Sequence, residues 1–231
     1  MTEILRTVSR SALTLFLVFG VMSAAVLAAD LSQYRGFRFG VDLSTVAEHA
    51  GANPSQAKVI NRRPALIQEL TWFPQPLGPS SRTEPAKEVV FSFYDGELFQ
   101  VVVNYDRYET EGLTADDFVD AISKTYGPAA KPTAPVKVAP GSYGDQVEIL
   151  AQWQDSQYHF DLIRSSYGPT FRLVGVMKRL EAPAQAATLE AKRLDDQEAP
   201  QRDAARIASE EEAAKTKLEK ARLVNKLNFR P

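Results

Sequence analysis

No cysteine occurs among the 231 residues. Disulfides, thiol nucleophiles and cysteine-held metals are therefore excluded, and so is a lipid anchor on an N-terminal cysteine. In an oxidising compartment the apolar core must then hold the fold unaided. Histidine is scarce too: His49 and His159 are the only two, too few for a multi-histidine metal site within one chain. Neither sign of charge dominates, and a net charge of -2 provides no field to steer nucleic acid. The chain has no Walker loop, no dinucleotide-binding glycine fingerprint and no Gly-x-Ser-x-Gly elbow. Beyond the N-terminal stretch no apolar run is long enough to span a membrane, which excludes a multi-span protein.

What is present begins at the N-terminus. Arg6 and Arg10 form a basic flank, Ala12 to Leu27 carries no charge, and small residues close the run at Val26-Leu27-Ala28-Ala29. Basic, apolar, small is the order of a secretory signal. Residues 1–29 are expected to export the chain to a periplasm or the outside and to be removed. The alternative is an uncleaved anchor, since the run approaches the roughly 17-residue minimum of a spanning helix. A membrane contact is expected only in that case.

Residues 30–180 read as one pattern written twice. Asp42 is a plausible N-cap for a helix whose apolar face is Leu43, Val46, Ala47 and Ala50, and Gly51 supplies its left-handed stop. Thr114-Ala115-Asp116-Asp117 has the form of a capping box, and Phe118, Ala121 and Ile122 continue an apolar stripe to Gly127-Pro128. Strands follow each helix. In the first unit they are read over 65–72, 89–94 and 97–105, the last two joined by Asp95-Gly96, a pair suited to a two-residue hairpin. In the second unit they are read over 147–154, 157–164 and 171–178. Tight turns allow only antiparallel pairing there. The stretches 72–88 and 127–144 read as loops. The fold class is α+β: an antiparallel sheet of about six strands from two helix-plus-strands repeats, with both helices on one face.

Residues 181–231 form a different compositional region, rich in Ala, Glu, Lys, Arg and Leu. These residues favour helix. Ala199-Pro200 is expected to break the extension in two. Its apolar positions are too sparse for a coiled-coil seam. The end, including Phe229, is expected to fray.

Few constellations carry chemistry. His159 and Asp161 lie two apart on a strand and share a face, with Ser165 and Ser166 close in sequence. A small hydrolase using His159 can be drawn from them, but neighbours on one strand seldom meet triad geometry. The alternation with Tyr158, Phe160 and Leu162 is expected to leave His159 and Asp161 toward solvent or a loop layer. No catalytic residue, cofactor or metal ligand is assigned. Tyr and Trp combine an apolar body with a polar tip and favour binding surfaces. The candidate binding residues are Trp72, Phe73, Tyr105, Tyr108, Trp153 and Tyr158.

Phe39-Gly40-Val41-Asp42-Leu43 with Val46 and Gly51, followed by Tyr94-Asp95-Gly96-Glu97-Leu98, resembles the first helix and hairpin of small bacterial envelope domains. These are the outer-membrane assembly lipoproteins of the SmpA/OmlA type and the tandem-repeat β-lactamase inhibitor protein. The likeness covers about a third of the expected mature chain. It implies a non-enzymatic binding or structural module of the envelope whose partner is another envelope protein. The missing lipidated cysteine departs from the assembly lipoproteins.

Overall fold

The computed structural model describes residues 30–74, 84–132, 136–138, 146–165, 171–228 and 230. The expected export signal and Phe229 lie outside them. In chain order the elements are β1 (Gln33–Tyr34), β2 (Phe37–Arg38), α1 (Leu43–Ala50), β3 (Lys58–Asn61), β4 (Ile67–Trp72), β5 (Ala86–Tyr94) and β6 (Glu97–Tyr105). Then come α2 (Ala115–Tyr126), β7 (Val136–Val138), β8 (Gln146–Gln154), β9 (Tyr158–Ser165), β10 (Phe171–Met177) and α3 (Lys178–Asn228).

Local chemistry sets the helix ends. The Asp42 carboxylate accepts from Thr45 N at 2.7 Å, and Gly51 ends α1 at φ 65° while its N–H closes on the last turn. Thr114 and Asp117 bond reciprocally: Thr114 N donates to Asp117 Oδ2 at 2.8 Å, and Asp117 N donates to Thr114 Oγ1 at 3.2 Å. Gly127 ends α2. Asp95 and Gly96, at φ 47° and 88°, turn β5 into β6 in two residues. The tip is tied to the start of β4, because Asp95 Oδ1 accepts from Leu66 N and Leu66 O accepts from Asp95 N, both at 2.8 Å.

The main sheet has eight strands in the order β3-β4-β5-β6-β10-β9-β8-β7, with every adjacent pair antiparallel. Sequence patterning led to about six. The two additional strands, β3 and β7, are the edges. β7 is three residues long and falls inside a stretch read as loop. A short edge strand owes its conformation to its neighbour's hydrogen bonds more than to its own periodicity.

Two rows crossing the sheet differ in character although they lie one residue apart. Leu70, Phe91, Val101, Gly175, Phe160 and Trp153 pair in register across six strands, and all are buried. Gly175 allows the Phe160 ring to lie against backbone; a Cβ there would stand 2.3 Å from Phe160 Cε1. Helices α1 and α2 both sit over this row's face. Phe37 packs on Phe91 at 4.5 Å and against His49 of α1 at 4.4 Å; Tyr126 of α2 stacks on Phe160 at 4.4 Å. Each large side chain buried here contributes about 1.5–3 kcal/mol. The adjacent row, on the other face, is Thr71, Val90, Val102, Val174, Asp161 and Gln152. Its valines are half-buried.

Helix α3 runs unbroken for 51 residues with Pro183 and Pro200 inside it, about 76 Å of helix. The expected break at Pro200 does not occur. Proline removes one intrahelical bond, but the carbonyl that Pro200 leaves free is that of Asp196, an exposed residue where water can replace the bond. Arg179 pairs with Glu97 beside the β5–β6 turn, and Arg63 after β3 pairs with Glu198. The first half of α3 therefore crosses from β10 toward the β3 edge. No helix among the described residues is long and apolar enough to cross a membrane.

Candidate binding pocket

Among the described residues a mainly apolar concavity lies between α2, the β1–β2 hairpin and the end of β6, with a volume of about 370 Å³. Helix α2 presents Phe118, Ile122 and Tyr126, spaced four residues apart, along one face. Phe118 stacks on Phe171 at 4.2 Å and meets Tyr105 edge-on at 5.1 Å. The Tyr126 hydroxyl donates to Gln33 O at 3.1 Å, which ties the end of α2 to β1. Leu173 of β10 and Leu113 complete the apolar wall.

The hairpin supplies the polar end. Arg35 and Gly36 turn it at φ 48° and 87°, so Tyr34 goes inward while Arg35 stays at the rim. Arg35 Nη1 donates to both carboxylate oxygens of Glu84 at 3.0 Å, and its guanidinium lies 5.4 Å from the Tyr34 ring centre. Glu84 also accepts from Ala86 N at 3.0 Å, which joins the hairpin to the start of β5. Tyr34 is 5% exposed. Burial is the main cause of the raised pKa of all three phenols: Tyr34 and Tyr126 lie far above the usual range, and Tyr105 is pushed up to about 12. Among the described residues the Tyr34 and Tyr105 hydroxyls have no hydrogen-bond partner, although both side chains line the cavity. Asp117 also lines it, but its carboxylate serves the capping box, and the Thr114 N–H holds its pKa below the usual value.

The six aromatic candidates occupy different places. Tyr105 lines the cavity. Tyr108 is 74% exposed on the following loop, beneath the Arg107 guanidinium. Phe73 is 56% exposed just after β4. Trp72 packs against Phe37 at 5.2 Å, and Tyr158 stacks on Phe39 at 5.5 Å, both over the helix-covered face. Trp153 is 1% exposed, and its indole N–H donates to Gly127 O at 3.0 Å and Ser123 Oγ at 3.2 Å. These six do not form one surface. Tyr34, Arg35 and Tyr126 were not among them; the local signal for the first two was Arg35-Gly36 as a hairpin turn.

His159 and Asp161 are buried rather than turned to solvent. Their strand is the third from the β7 edge, and His159, Phe160, Asp161 and Leu162 are all buried, so both of its faces are covered there, which period-two alternation does not reveal. His159 Nε2 lies 3.9 Å from Asp161 Oδ2, and Gln152 donates to Asp161 Oδ1 at 2.7 Å. A hydrolase would need a serine hydroxyl at the imidazole, and the side chains of residues 165 and 166 lie outside the described ones. Among the described residues no three His, Asp or Glu side chains gather as a metal site.

Comparison of the chain with protein-family models, with curated proteins and with solved structures finds no match.

Proposed function

We propose that this chain is an exported, non-catalytic binding module of a bacterial envelope, with the cavity beneath α2 as its binding site. One observation carries the reading: apolar side chains line an open cavity together with two phenol hydroxyls that make no hydrogen bond within the protein. Such a concavity, mostly apolar with a few polar groups, suits retention of a ligand. It does not suit turnover. The lining phenols keep their protons at neutral pH, Arg35 is paired with Glu84, and Asp117 belongs to a helix cap. The resemblance to envelope binding domains points the same way, and the signal-like residues 1–29 support export.

The duplication belongs to the same proposal. A capped helix followed by four successive strands occurs twice, and the two sets meet through their last strands, β6 and β10. In this reading the exposed half of α3 is an arm that holds the body away from its attachment or partner, such as another envelope protein.

The test is native mass spectrometry of the protein recovered from the exporting cell. The expected result is a chain beginning near Ala29 or Asp30 that retains a small molecule in stoichiometric amount. A ligand-free chain that turns over ester or peptide substrates, and loses that activity in His159→Ala, would replace this reading with the hydrolase.

A further inference from the structure

We propose that the cavity beneath α2 selects a small, uncharged, mainly apolar molecule carrying one hydrogen-bond-accepting oxygen, held by the hydroxyls of Tyr34 and Tyr105. The inference rests on the cavity being a binding site and adds the chemistry of its occupant.

Size comes first. About 370 Å³ is near the lower end of the roughly 300–1,000 Å³ that small-molecule pockets span. The walls come second. Phe118, Ile122 and Leu173 are buried hydrocarbon surfaces with no polar atom to satisfy a ligand, so the bulk of the occupant is apolar. The head group is decided by the polar end. Tyr34 is nineteen-twentieths buried as a residue, and its hydroxyl makes no hydrogen bond within the protein, so it is available to an acceptor oxygen of a ligand. Burial keeps both phenols protonated well above neutral pH, so both donate.

Charge balance excludes an ionised head. The one cation on the lining, Arg35, already holds Glu84 through two bonds from a single nitrogen. A carboxylate entering the cavity would have to displace Glu84, which also secures Ala86, or stand desolvated beside it and near Asp117. A cationic head would find no free carboxylate to pair with, because Glu84 is held by Arg35 and Asp117 by the Thr114 cap. A ketone, ester or alcohol oxygen meets the two phenols without moving a charge.

The test is calorimetric titration of the mature full-length chain with 2-octanone, octanoate and n-octane. The chain is also prepared as Tyr34→Phe/Tyr105→Phe and as Ala121→Trp, which fills the cavity from its exposed α2 side. Circular dichroism confirms that each variant is folded. Octanone is expected to bind, to weaken about tenfold in the double phenylalanine variant, and to exceed octanoate by at least about tenfold. Ala121→Trp abolishes binding of every probe. Octanoate binding as tightly as octanone, or octanone unaffected by loss of both hydroxyls, overturns the neutral-acceptor inference while leaving the cavity as a site. Failure of all three probes on the folded wild-type chain, or binding that Ala121→Trp leaves intact, overturns the binding-site reading as well.

Discussion

Residues 178–191 and residues 201–228 belong to one continuous helix, yet the two stretches do different things. In the first, Leu180, Ala184, Ala187 and Ala191 are buried at a spacing of four, three and four, a stripe along one face. In the second, every residue is exposed. Helix there rests on residue preference and on pairs such as Arg206–Glu210 at 2.9 Å, each worth about 0.3–0.5 kcal/mol. Leu218, Leu223 and Leu227 are all more than 60% exposed and form no stripe toward the body. The same composition therefore makes helix in both places. Only the stripe attaches helix to sheet.

Four measurements sharpen or break that contrast. The largest effect is expected from Trp153→Ala, which empties the centre of the helix-covered face and leaves Ser123 and Gly127 without their donor. It should cost about 3–5 kcal/mol in chemical denaturation. A smaller loss would mean that the body's core is not concentrated on that face. Next is Gly175→Ala, whose methyl meets the Phe160 ring; overpacking of this kind costs about 1–3 kcal/mol or more. An unchanged midpoint would show that Phe160 is free to move.

The third is paired. Ala187→Asp places a carboxylate in the buried stripe and should destabilise the body by about 1–3 kcal/mol. Ala208→Asp, on the exposed half, should change it by less than about 0.5 kcal/mol. Equal effects would erase the distinction between the two stretches. The smallest effect is expected from removing residues 201–231. The thermal midpoint of the body should stay put while the helical signal per molecule falls. A drop in midpoint of several degrees would reveal that the distal half contacts the body.

Much of the fold was legible because its signals are local. Asp42 and Thr114 cap their helices within three residues of themselves, and Gly51 and Gly127 stop them. Asp95-Gly96 turns a hairpin using only its own dihedral freedom. The apolar alternation of β5, β6, β8 and β9 marked four strands of the sheet interior, two on each side of β10. Edge strands β3 and β7 were not legible, since their order comes from the strand beside them. Pro200 misled because the loss of one helical bond is minor where water can replace it. Of the cavity, Tyr105 alone stood among the candidates. Tyr34, Tyr105 and Tyr126 are far apart in sequence, and no spacing rule relates them.

Read along the chain alone, then, this protein's class, its capped helices, its central strands and its charged helical extension were already determined. Each depends on interactions among residues a few positions apart. Tertiary structure alone decided which end of the long helix is held, that His159 and Asp161 are buried, and that three distant tyrosines converge near one arginine. Those outcomes depend on which surfaces meet, and non-local contacts form only once loop entropy is overcome by burial elsewhere.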